Sequence, residues 1–217
     1  MSSTASQQAV PYPARVTVDY PERLDRLTTL LRIFWAIPIL IIISLVTSSG
    51  SATWSTNEQG QRVRDAGGSI AYTIGVATAL MILFRQRYPR WWFDFRLGLE
   101  RFGFRVGSYL ALLRDEYPST EDEQAVHLEL DYPDARQLNR WLPLVKWLLA
   151  LPHYIVLLVL AVFALVAVVV AWFAILITGR YPRGLFDFVV GVGRWALRVD
   201  AYALLLITDR YPPFSLE

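Results

Sequence analysis

Residues 142–178 form an apolar run of about 37 residues in which Lys146 and His153 are the only potentially charged positions. One bilayer crossing takes roughly 20 apolar residues. The run is therefore too long for one crossing and barely enough for two. Its stretch WLLALPHYIVLLVLAVFALVAVVVAWFAILIT leaves no polar face for water. Composition points the same way, with 54% hydrophobic and 18% charged residues, against about 25% charged in an ordinary soluble domain. Two weaker apolar runs precede it, at 30–46, where Arg32 and Pro38 interrupt, and at 69–84. The polar stretch between them reads as a loop. Residues 1–29 lack the apolar core of a signal peptide, and read as the start of the mature chain.

The chain also duplicates itself. Residues 90–113 (RWWFDFRLGLERFGFRVGSYLALL) and 183–206 (RGLFDFVVGVGRWALRVDAYALLL) agree without gaps at 11 of 24 positions. Arg-Tyr-Pro precedes both copies, at Arg87 and Arg180. Upstream, Asp19-Tyr20-Pro21 matches Asp131-Tyr132-Pro133, and Ala36-Ile37-Pro38 matches Ala150-Leu151-Pro152. Such self-similarity is read before any motif. It divides the chain into a first repeat, 1–119, and a second, 120–217. The predicted fold is an all-α membrane protein of two tandem repeats. Each repeat is a transmembrane or partly inserted helical hairpin followed by an interfacial amphipathic helix. If the second half keeps the plan of the first, 142–178 is a tight hairpin, although no Gly, Pro or Asn marks its turn; a single long tilted helix is the other reading. Arginines flank the first hairpin (Arg23, Arg26, Arg32, then Arg85, Arg87, Arg90, Arg96), which places both termini on the cytoplasmic side.

The interfacial helices are expected at about 91–114 and 184–207. In the first, Asp94, Arg101, Arg105 and Ser108 fall within about 40° of one line on a helix. The second repeats this with Asp187, Arg194, Arg198 and Ala201. The remaining faces are Phe, Trp, Leu and Val, as in helices that lie in the membrane plane. Arg101, Arg105, Arg194 and Arg198 are thus candidates for anionic lipid headgroups, because guanidinium pairs phosphate bidentately. Asp94 and Asp187 are expected to orient Arg101 and Arg194 as ion pairs. Seven Tyr-Pro dipeptides, from Tyr12 to Tyr211, take seven of the 12 prolines. They read as helix boundaries, since proline starts or stops helices and tyrosine favours the headgroup layer.

Residues 15–20 (RVTVDY) and 127–132 (HLELDY) alternate apolar and polar, and as repeat equivalents are expected to pair as a small β ribbon. Residues 115–134 hold eight acids and no Lys or Arg, and read as a solvated link. Zero cysteines exclude disulfides, thiol nucleophiles and cysteine metal sites. Two histidines are too few for most transition-metal sites. No phosphate loop, dinucleotide glycine pattern or nucleophile elbow is present. No metal, no cofactor and no nucleic-acid partner are expected. His153 is a possible intramembrane polar site, set against a packing or capping role, since its repeat counterpart is Ile39.

At residues 146–154 (KWLLALPHY), 171–183 (AWFAILITGRYPR), 191–199 (GVGRWALRV) and 208–216 (TDRYPPFSL) the chain resembles an uncharacterised bacterial membrane family, domain of unknown function 4389. The likeness is dense over about 128–217. The first half is more divergent: Trp91-Trp92 stands where Gly184-Leu185 stands, and Glu100 replaces Gly193. The resemblance implies a protein of the bacterial cytoplasmic membrane and supplies no site residue; the apolar segments predict a multi-pass chain with both termini cytoplasmic. The expected function is non-enzymatic, a lipid-interacting scaffold or accessory subunit, as a homo-oligomer or in a larger complex. The alternative is a small oligomeric channel or transporter.

Overall fold

The structure, a computed structural model, describes residues 11–47, 53–56, 62–65 and 70–217. Two strands and two long amphipathic helices form one part. β1 (Ala14–Val18) pairs antiparallel with β4 (Val126–Leu130), and Val16 faces Leu128 across the ribbon. The two segments expected to pair thus do so. Alternation explains the ribbon: Val126, Leu128 and Leu130 are buried while His127 and Glu129 are exposed. Arg15 reaches across to Asp131 at 2.8 Å and to Glu129 at 3.4 Å. The buried side of the ribbon carries two helices. α3 (Arg90–Leu110) packs on β4, and α6 (Arg183–Ala203) packs on β1.

α3 and α6 begin where tyrosine-proline predicts a boundary, with Pro89 and Pro182 as their N-caps. Proline has no N–H to leave unsatisfied, which suits it to a helix start. The apolar face of α6 was expected to sink into acyl chains, and here the structure differs. Phe186, Val190, Trp195, Leu197 and Tyr202 are buried, because α5 and β1 cover that face. α3 is less enclosed, and Trp91, Phe95 and Leu110 are exposed.

The apolar segments form the other part. α1 (Arg26–Thr47) packs against α5 (Leu151–Thr178) and α2 (Ile70–Arg85), and α2 packs against α4 (Pro143–Leu149). Asp25 caps α1: Leu27 donates its amide to Oδ1 at 2.9 Å and Thr28 its hydroxyl to Oδ2 at 2.8 Å. The favoured hairpin at 142–178 is not formed. α4 and α5 are separated only by Ala150, which keeps right-handed helical angles. Past Pro152 the chain has no glycine, proline or asparagine until Gly179, so nothing interrupts the helical hydrogen-bond ladder. Gly179 ends it at φ 73°, donating its amide to the Ile175 carbonyl at 2.7 Å.

α5 is 28 residues long with a mean hydropathy of 3.2 over its most apolar 18-residue window, and only 11% of that window is buried. At 1.5 Å per residue it measures about 42 Å, longer than a hydrocarbon core of about 30 Å. Among the described residues it is the one helix long and apolar enough to cross a membrane. The polar stretch read as a loop holds a second antiparallel pair, β2 (Thr53–Thr56) with β3 (Arg62–Asp65). Thr53, Trp54, Thr56 and Val63 are strand formers, a signal that overall polarity obscures.

Candidate functional site

The four candidate headgroup arginines each donate to backbone carbonyls; Arg198 is buried, Arg105 and Arg194 are half-buried and Arg101 is exposed. Arg101 donates Nε–H to the Leu128 carbonyl at 3.0 Å, and Arg194 donates Nε–H to the Val16 carbonyl at 3.3 Å. Each thus bonds the strand beneath its helix. Arg194 also reaches the Leu216 carbonyl at 3.1 Å, Arg198 that of Ser215 at 2.7 Å, and Arg105 that of Ser119 at 2.6 Å. Guanidinium is a rigid fork of donors, and here it ties the irregular segments after each helix back onto that helix. The expected ion pairs Asp94–Arg101 and Asp187–Arg194 do not form. Asp94 and Asp187 are exposed, and neither is in an ion pair among the described residues. Seven residues on a helix are two turns, about 10.5 Å of rise, too far for the side chains to meet.

His153 lies on α5 with no exposed surface. Its Nδ1 accepts a hydrogen bond from the Trp195 indole at 3.1 Å, and its ring stacks on Phe214 at 3.9 Å. These contacts join α5, α6 and the C-terminal segment.

A partly buried charge cluster has no spacing signature in the sequence: Arg96 is buried, and Glu100 and Asp200 are half-buried. Arg96 and Glu100, one helical turn apart on α3, meet Asp200 of α6. Arg96 is 4% exposed, and its Nε and Nη1 have no hydrogen-bond partner. Burial, reinforced by the Asp200 carboxyl beside it, pushes Glu100 up to about 8. Burial likewise raises Asp200, with Arg96 opposing. Two carboxyls this close retain a proton between them. The repeat counterparts of Arg96, Glu100 and Asp200 are Val189, Gly193 and Gly107. There the structure has a cavity of about 290 Å³ lined by Gly103, Phe104, Gly107, Val189, Val190 and Gly193. Aligned positions of the two similar segments thus carry charge in one place and line an apolar cavity in the other.

The cluster predicts a pH dependence. A carboxyl raised in the folded state binds more protons than in the unfolded chain, so stability falls as pH rises from about 4.5 to about 8. Glu100→Gln removes that slope. At pH 8 the variant should melt above the wild type, by roughly 3 °C or more, while at pH 5 the two should converge. Parallel melting curves at both pH values would show that Glu100 titrates normally. Among the described residues no group of three His, Asp or Glu side chains stands close enough to hold a metal ion.

Comparison with known families supplies one match. Residues 141–215 match the family described as Domain of unknown function (DUF4389). The matched DUF4389 region runs from the start of α4 through α5, α6 and the C-terminal segment that His153, Trp195, Arg194 and Arg198 hold. No curated protein and no solved structure matches the chain significantly.

Proposed function

We propose that this chain is a non-enzymatic, multi-pass membrane protein of the bacterial cytoplasmic membrane, a lipid-interacting scaffold or accessory subunit. α5 carries the reading. Leu158, Phe163, Leu165 and Ile177 are more than half exposed along a helix of spanning length, a surface that water disfavours at about 25 cal/mol per Å². α1 adds to it, with Leu27, Phe34, Trp35 and Ile41 exposed. α1 and α2 complete the bundle in this reading, and both termini stay cytoplasmic.

The tandem repeat is part of the proposal, and paired contacts support it. Tyr20 donates its hydroxyl to the Tyr181 carbonyl, as Tyr132 donates to that of Tyr88. Tyr20 meets Phe186 edge-on at 5.0 Å, and Tyr132 meets Phe93 at 5.2 Å. Arg183 lies over Tyr20 at 4.3 Å, and Arg90 over Tyr132 at 5.1 Å. Arg32 pairs with Asp115 over Tyr109, as Lys146 pairs with Asp209 over Tyr202. Every pair joins positions that the sequence alignment of the halves makes equivalent. Each half completes the other, which favours one intertwined unit over two independent domains. In this reading Arg101, Arg105, Arg194 and Arg198 hold the ribbon and tails through some of their donors and offer the rest to anionic lipid headgroups.

A cysteine-free chain suits a direct test. Leu165→Cys, at an exposed position of α5, should resist a membrane-impermeant maleimide in sealed membranes and react after detergent is added. Gln137→Cys, on an exposed polar segment, reports labelling where water reaches, provided the sealed membranes are inside-out vesicles that present the cytoplasmic face. Free labelling of Leu165→Cys in intact membranes would remove the spanning role of α5.

A further inference from the structure

Where α2 ends and α3 begins, the chain encloses a cleft of about 570 Å³. Arg85, Arg87, Arg90 and Arg136 line it, with Asp134 as the one acid. That acid is spent locally: it accepts from the Arg136 amide at 3.1 Å and from the Gln137 side chain at 3.1 Å. None of the four arginines is in an ion pair among the described residues. Arg90 is held over the Tyr132 ring at 5.1 Å. The cleft also receives the start of α3, a 21-residue helix capped by no side chain. Its first hydrogen-bonded amides are those of Trp92 and Phe93, both to the Pro89 carbonyl. Pro89 and Arg90, at that helix start, line the cleft, so the positive end of the helix dipole adjoins the arginines, a setting that suits phosphate.

The surroundings are apolar on both sides. Leu80 and Phe84 of α2 and Trp91 and Phe95 of α3 are exposed. Arginines next to exposed apolar side chains on the same two helices match the layer where acyl chains give way to phosphates. Gln86, between Arg85 and Arg87, holds φ 44°, a left-handed turn costly for a side-chain-bearing residue. Its repeat counterpart is Gly179 at φ 73°. The turn aims the chain from α2 into the cleft, and Arg140 fixes it by donating to the Gln86 carbonyl oxygen Oε1 at 3.0 Å. The other repeat lacks the set, since Arg85 and Arg136 correspond to Thr178 and Leu24.

We propose that this cleft is a single binding site for a phosphate group, that of an anionic glycerophospholipid headgroup, with Arg85, Arg87, Arg90 and Arg136 as its donors. The site rests on the membrane reading of the chain. Its chemistry is shared by free phosphate, and two arms separate the sources. In the first, detergent-purified protein is titrated with phosphatidylglycerol or phosphatidylcholine and observed by native mass spectrometry. Wild type should retain one phosphatidylglycerol per chain. Arg87→Gln with Arg136→Gln should weaken that retention roughly tenfold or more, while Arg62→Gln with Arg64→Gln, an equal charge change on β3, should not. In the second, millimolar inorganic phosphate is added. Persistence of the lipid adduct supports the headgroup; its displacement, with phosphate binding to wild type but not to the Arg87/Arg136 variant, supports the same site with free phosphate as ligand. Equal phosphatidylglycerol retention by wild type and the Arg87/Arg136 variant, or equal loss in both double variants, overturns the site. Failure of the membrane reading registers separately, as free labelling of Leu165→Cys.

Discussion

Lys146→Met should destabilise the protein by about 3 kcal/mol, which lowers the melting temperature by roughly 6–12 °C for a chain of this size. Lys146 has no exposed surface, yet carries an ammonium group. Its Nζ donates to the Thr208 carbonyl at 2.7 Å and lies 2.7 Å from the Asp209 carboxylate. It also sits 5.1 Å above the Tyr202 ring. A methionine fills the volume and leaves both acceptors without their cation. Asp209 retains the Asn139 amide at 2.6 Å and some contact with water, which keeps the cost at the lower end for a broken buried pair. Lys146→Arg should cost far less, since Arg32 plays the matching part against Asp115 in the first half. Adding Asp209→Asn to Lys146→Met should recover part of the loss, as coupled neighbours do. Thermal unfolding in detergent, followed by tryptophan fluorescence, measures all three. A loss under about 1 kcal/mol for Lys146→Met would mean that the pair contributes little beyond packing.

His153→Ala should cost about 3 kcal/mol. The substitution opens a cavity beneath Phe214 and leaves the Trp195 indole N–H without its acceptor. His153→Phe separates the two terms. It restores the ring against Phe214 and Tyr211 but still strands the indole, so it should recover about half of the loss. The C-terminal segment follows the same logic. Trp195 packs on Phe214 at 5.6 Å and Arg198 holds the Ser215 carbonyl, so limited proteolysis should cut near residue 214 faster in His153→Ala. If His153→Ala is as stable as wild type and as resistant to protease, the residue is not a packing element and its polar nitrogen has another task.

Much of the architecture is legible in the sequence because it is written in period and punctuation. The apolar length of α5, the alternation of β1 and β4 and the proline starts of α3 and α6 are local properties, and each appears where it reads. The hairpin at 142–178 was inferred from symmetry, and local chemistry prevailed: without a turn residue an apolar run stays helical. The candidate arginines were read correctly as one face of a helix, but a helical face does not say what covers it. The ribbon and tails lie against this one, and backbone carbonyls take part of the guanidinium donors.

The Arg96–Glu100–Asp200 cluster shows the remaining gap. Glu100 and Asp200 are a hundred positions apart on different helices, and no spacing rule connects them. The signal that existed was an exception: Glu100 stands where the other half has Gly193. In the proposed repeat, positions alike in the two segments carry the paired contacts, whereas the charge cluster, the 290 Å³ cavity and the arginine cleft sit where the segments differ. By itself the sequence determined the β1–β4 ribbon, the proline starts of α3 and α6, and which helix is apolar enough for a membrane, because hydrophobic length, period and proline act over a few residues. Only the tertiary structure decided which charges are brought together and which arginines remain outside ion pairs, because those depend on what the fold sets opposite each side chain.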